Sequence, residues 1–184
     1  MSFLDRVAAA VTPAASDEQR AEARRRVDEL AVGEPWLGMI VEQHRKIESL
    51  FEQARSATDV ASRERTVKQL ATELTGHATA EEAVVYPIVS EDSGKTHAGM
   101  AYEEHAMTKI QLAKLEQIDP MSAEWEEKLE HIRGAVQQHI YQEEDSWLPD
   151  VVQNSSPEKR ALLNRRYAEE YERYCGTGSV PTVA

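Results

Sequence analysis

Two short stretches carry side chains that could do metal chemistry. HATAEEAVVYP covers 77–87 and HIYQEEDSWLP covers 139–149. Each reads His-x-x-x-Glu-Glu, and each has a proline ten residues after its histidine. On a helix, positions i and i+4 share a face, so His77 stands with Glu81 and His139 with Glu143. An imidazole is a neutral nitrogen donor, and a carboxylate can bridge two cations and cancel charge. Two such pairs offer mixed nitrogen and oxygen ligation to a pair of transition-metal ions.

The helices that must position these residues follow from apolar spacing. In 35–57 the stripe is Leu37, Ile40, His44, Ile47 and Phe51. In 60–90 it is Val67, Leu70, Leu74, His77, Glu81, Val84 and Ile88. A third helix over 98–118 puts Tyr102, His105, Leu112 and Leu115 on its inner face. A fourth, capped by Ser122, carries Trp125, Leu129, Ile132, Val136, His139 and Glu143. The 3-4 spacing is that of amphipathic helices. Breaks near 58 and 120, and a turn at 91–96, are short. The chain is therefore expected to be all-α, an antiparallel up-down four-helix bundle. Two weaker helices, over 16–32 and 156–174, flank it. Ser16 or Asp17 caps the first; Ser156, Pro157 and Glu158 open the last. The expected division is 1–34 as an N-terminal extension with one helix, 35–153 as the bundle, and 154–184 as a C-terminal helix and disordered tail.

His44, His77, Glu81, His105, His139 and Glu143 thus occupy positions where an apolar stripe calls for Leu or Ile. A bare carboxylate in such a core costs several kcal/mol or changes its protonation. The pattern is also duplicated: His44 precedes His77 by 33 positions, and His105 precedes His139 by 34. Measured from the hairpin tips, each histidine pair falls at similar depth. A metal-free network of His–Glu hydrogen bonds is the competing reading. Iron suits the donor set, with manganese or zinc as competitors.

Composition narrows the rest. The chain has 184 residues, with 41% hydrophobic and 29% charged, few glycines and prolines, and a net charge of −12. That charge repels phosphate backbones and anionic lipid, so neither nucleic acid nor membrane is an expected partner. The N-terminal apolar patch lacks a basic flank, so no secretory signal is expected. The single cysteine, Cys175, reads as incidental and fits a cytoplasmic protein.

The chain resembles the hemerythrin-like, HHE cation-binding family. The matching pieces are EQHRKIESLFE around His44, HATAEEAVVYP, the EEH ending at His105, and HIYQEEDSWLP. The resemblance implies a four-helix bundle around two iron ions, bridged by oxo or hydroxo and by carboxylates. His44, His77, His105 and His139 would be terminal ligands, and Glu81 and Glu143 would bridge. It implies reaction with, or binding of, O2, peroxide or nitric oxide, with an unidentified redox partner. The alternative is a non-catalytic O2- or iron-binding or sensing protein. One departure stands out. Oxygen-carrying members have a second histidine one turn before the third-helix ligand, and here that position is Ala101. Tyr86 is a weaker candidate ligand, because five residues past Glu81 is about 140° around a regular helix. It points partly away unless Pro87 bends the end. His97 and His131 are expected at the surface or behind the ligands. Glu48 is not expected to ligate. Glu82 and Glu144 are expected in solvent or hydrogen-bonded to a ligand imidazole.

Overall fold

The computed structural model describes residues 14–92 and 95–176. The N-terminal apolar patch, part of the 91–96 turn and the tail beyond Gly176 lie outside them. Helix α1 spans Asp17–Ala31, α2 Pro35–Ser56 and α3 Val60–Ala80. A single π-helical turn, Glu81–Val85, continues α3 into α4, Tyr86–Asp92. Then come α5, Lys95–Leu115, and α6, Ala123–Gln142. A second π-turn, Glu143–Trp147, leads into α7, Leu148–Asn154, and α8 is Pro157–Cys175. No strand occurs among the described residues, and none of their helices is long and apolar enough to cross a membrane.

Local chemistry sets these boundaries. Ser16 and Gln19 form a reciprocal capping box at α1. Asp59, Ser122 and Ser156 each accept a backbone N–H at the start of α3, α6 and α8. Pro35 and Pro157 sit where a missing N–H costs nothing. The third helix begins and ends three residues earlier than the spacing suggested. Tyr102 is 40% exposed instead of facing inward. Ala98, Ala101 and His105 take the inner face of α5, which turns Tyr102 to one side.

Four rods make the bundle: α2, α3 with α4, α5, and α6 with α7. Its interior has three layers. One apolar cluster contains Trp36, Ile40, Val85, Tyr86, Trp147, Leu148 and Tyr167. The other contains Ile47, Phe51, Leu70, Leu115, Trp125, Leu129 and Ile132. The buried histidines and glutamates form the polar layer between them. α1 packs on α2 and the second π-turn, and α8 packs on α3 and α2.

Arg63 ties the two hairpin tips at one end. Its guanidinium donates to Ala57 O at 2.9 Å, Pro120 O at 2.5 Å and Glu126 at 2.9 Å. It also lies 4.7 Å from the centre of the Trp125 ring. Hydrogen bonds to a charged group contribute about 1.5–3 kcal/mol each, less where the carbonyls are half-buried as here. Arg63→Met should lower unfolding free energy by about 2–4 kcal/mol in a urea titration. A loss near zero would contradict the pinning role.

Candidate metal centre

Six polar side chains from four rods converge in the middle layer. His44 comes from α2 and His105 from α5. His77 and His139 stand in the last turns of α3 and α6, and Glu81 and Glu143 open the two π-turns. All six are buried. His44 Nε2 is 3.2 Å from Glu143, and His77 Nε2 is 3.1 Å from Glu81. His105 Nε2 lies 3.6 Å from Glu81, and His139 Nε2 lies 3.5 Å from Glu143. The two latter imidazoles face each other, Nε2 to Nε2, at 3.1 Å. Two donor groups result: His44, His77, Glu81 and Glu143, and Glu81, His105 and His139. Glu81 belongs to both.

The opposite nitrogen of each ring is held by a neighbour. His44 Nδ1 bonds Glu144 at 2.9 Å, and His77 Nδ1 bonds Gln43 at 2.9 Å. His105 Nδ1 bonds Glu82 at 3.1 Å, and His139 Nδ1 bonds Glu104 at 2.7 Å. An acceptor at Nδ1 holds a proton on that nitrogen and turns Nε2 toward the centre. All four Nε2 atoms then aim into one space, where a nitrogen offers its lone pair to a cation once any proton on it has left. Glu144 is not in solvent but 2% exposed. Gln43 and Glu104 were not singled out from sequence, although each immediately precedes a histidine of the set.

Tyr86 does not point away. Its hydroxyl donates to Glu143 at 2.9 Å and lies 3.3 Å from Glu81, 3.1 Å from His105 Nε2 and 3.3 Å from His139 Nε2. The reason is the π-turn. The Tyr86 N–H bonds to Glu81 O, five residues back instead of four. The wider turn returns residue i+5 almost over residue i, where a regular helix would have carried it past.

Burial and crowding set the protonation. Burial drives Glu81 well above the usual carboxylate range, and the charge of Glu143 adds to this. Burial also pushes Glu143 up, but His139 and His44 outweigh it and hold that carboxyl well below its usual range. Burial opposes charge on His44, yet hydrogen bonds to Glu143 and Glu144 raise it to about 10. His139 is likewise raised against burial by Glu143 and Glu104. Burial lowers His77, as does the charge of His44. His105 is lowered by burial, which outweighs its bond to Glu82.

The residues fit a metal pair. Glu81 Oε1 is buried and makes no hydrogen bond, and His44 Nε2 and Glu143 Oε2 meet each other, 3.2 Å apart. A buried oxygen without a partner costs about 1–3 kcal/mol unless something binds it. Two imidazole nitrogens bound at about 2.1 Å to one cation, roughly at right angles, lie about 3 Å apart. His105 and His139 have that separation.

A family model described as the hemerythrin HHE cation binding domain matches residues 37–151, more than half of the chain. The chain belongs to the hemerythrin HHE family. Within this HHE chain the match takes in all six central residues and Tyr86. A protein of Schizosaccharomyces pombe, named an uncharacterised hemerythrin-like protein, is 27% identical over 147 residues, 78% of this chain and 72% of that one. A DNA nickase of a Nostoc strain is 28% identical over 116 residues, 63% of this chain. The match spans 33% of that protein. No solved structure matches.

The remaining candidates stand apart from the centre. His97 stacks on Trp147 at 5.6 Å, and Trp147 in turn meets the edge of His139. His131 is exposed. Glu48 pairs with Arg24 at 2.9 Å.

His44, raised to about 10, keeps a proton in the cation-free centre near neutral pH, and His139 and Glu81 are shifted in the same direction, toward holding theirs. Ligation requires these groups to give them up. Loading Co2+ should release protons, seen as buffer-dependent heats in calorimetry. Affinity should climb by up to about tenfold per pH unit for each proton displaced as pH rises toward the His44 value. Heats independent of the buffer would contradict the ligand set.

Proposed function

We propose that this chain holds two iron ions and that the pair reacts with O2, peroxide or nitric oxide. The supporting observation is the set of four inward Nε2 atoms around two carboxylates, with Glu81 common to both donor groups. His44 and His77 would hold one ion and His105 and His139 the other, with Glu81 and Glu143 between them. Tyr86 would complete the second half, where Ala101 supplies no imidazole. The donors are imidazole, carboxylate and phenol, with no thiolate, which favours iron or manganese over soft-metal sites.

Ligand size supports the choice of substrate. A cavity of about 20 Å³ lies against His77, His105 and His139, walled by Ile47, Leu74, Val136 and Ile140. A space that small holds about one water-sized molecule. A bound iron pair would supply redox equivalents to a ligand of that size. The cavity's walls are mostly apolar, with Thr108 and Lys109 at their edge, and the braced imidazoles keep Nε2 directed without rearrangement. The nickase relative does not extend the reading to DNA. The shared segment is a third of that protein, and a chain of net charge −12 repels a phosphate backbone.

Freshly iron-loaded protein should carry two irons per chain and consume peroxide or nitric oxide in stopped-flow mixing faster than equal free iron. Rates no better than free iron would overturn the reactive reading. His139→Ala should lose most bound metal; two ions retained would contradict its role. The ferric protein should show a visible phenolate-to-iron band that disappears in Tyr86→Phe. A band that persists would remove Tyr86 from the ligand set.

A further inference from the structure

The two helices outside the matched segment, α1 and α8, reach the same half of the centre. Tyr167 on α8 is fully buried, and its hydroxyl donates to Gln43 Oε1 at 2.6 Å. That same oxygen accepts the Nδ1–H of His77 at 2.9 Å. Two donors on one amide oxygen fix which end of Gln43 faces the ring. A flipped amide would present NH2 to His77 and move the ring proton to Nε2, the nitrogen that faces Glu81. Arg24 on α1 acts on the other imidazole. It pairs with Glu48 at 2.9 Å and Glu144 at 3.6 Å, and Glu144 accepts from His44.

The seat of α8 is close and well anchored. A Cβ on Gly76, the residue before His77, would collide with Cys175 Sγ. Glycine permits that approach. Tyr171 donates to Glu73 at 2.5 Å, and Lys46 pairs with the same carboxylate at 2.5 Å. Nothing comparable among the described residues covers His105 and His139. Their braces, Glu82 and Glu104, have side chains 27% and 39% exposed. A surface cleft of about 200 Å³ lined by Glu104, Thr108, His131 and His139 opens beside them.

We propose that Tyr167 and Arg24 are positioning residues for one half of the metal centre. Through them the terminal helices make the His44–His77 half slow to exchange its ion, while the His105–His139 half exchanges quickly. The proposal rests on the two-metal reading above.

The test loads the full chain with two equivalents of Co2+ and follows its release to excess EDTA. The expected result is two phases of one ion each. Tyr167→Phe should speed the slow phase about tenfold or more and leave the fast phase unchanged, with the thermal midpoint lowered by no more than about a few degrees. Arg24→Met should move the same phase, and Lys109→Met, which loses the bond to Glu82, the fast one alone. Equal acceleration of both phases by Tyr167→Phe would mean general loosening and would overturn the proposal, as would no effect. Should that variant not fold, the wild-type phases and Arg24→Met decide the matter. Release of two bound ions in a single phase overturns this inference and leaves the two-metal reading intact. A wild-type chain that binds no Co2+ overturns both.

Discussion

Six ionisable side chains lie in the core of a helical bundle, and the rest of the structure answers to that constraint. An unpaired buried charge costs several kcal/mol, and a buried polar atom without a partner costs about 1–3 kcal/mol. The chain meets this by stacking the groups in one layer between two apolar clusters. The outward nitrogen of each of the four imidazoles has an acceptor. The inner atoms of the six face one another, and Glu81 Oε1 is left there without a hydrogen bond. These inner atoms pair mainly with one another. A cation that displaces their protons can replace those contacts while the outer face stays closed.

The π-turns are the backbone's part in this arrangement. Both begin at the glutamate of a His-x-x-x-Glu pair and end two residues before a proline. In a regular helix the ring of Pro87 would press on the carbonyl four residues back, at Ala83, and that of Pro149 on the carbonyl of Asp145. Both carbonyls fall inside the widened turns. The extra residue that relieves the proline also rotates the helix downstream of it, and in the first turn it delivers Tyr86 to the centre. The proline shared by the two motifs is therefore part of the site's geometry, although it supplies no donor there.

The apolar stripes were legible because the helices are long and their spacing regular. All the stripe residues read on α2, α3 with its continuation, and α6 are buried. The histidines and glutamates were legible as polar intrusions in those stripes. Tyr86 was misplaced because a period of 3.6 cannot anticipate a turn of different pitch. Tyr102 was misplaced because alanines at 98 and 101, too small to stand out, form the inner face of α5. The tie from α8 was illegible for another reason. Tyr167 and Gln43 lie 124 residues apart, and no local pattern links residues on different rods.

The braces follow a rule that only the assembled bundle reveals. On α2 and α5 the brace is the residue before the histidine, Gln43 and Glu104. On the two π-turns it is the residue after the glutamate, Glu82 and Glu144. One step along a helix turns the side chain by about 100°, from the centre toward the adjoining rod. Successive rods run in opposite directions, so a step back on one and a step forward on the next turn the same way around the bundle axis. Gln43 therefore reaches His77, Glu82 reaches His105, Glu104 reaches His139, and Glu144 returns to His44. The ring closes with each rod holding the next. It is uniform in sense but not in chemistry. The brace nearest α8 is a neutral amide, which sits buried at lower desolvation cost than a carboxylate, whereas its counterpart Glu104 stays partly in water. A duplicated pattern with unlike braces yields two halves in unlike surroundings, one sealed by the terminal helices and one near the surface.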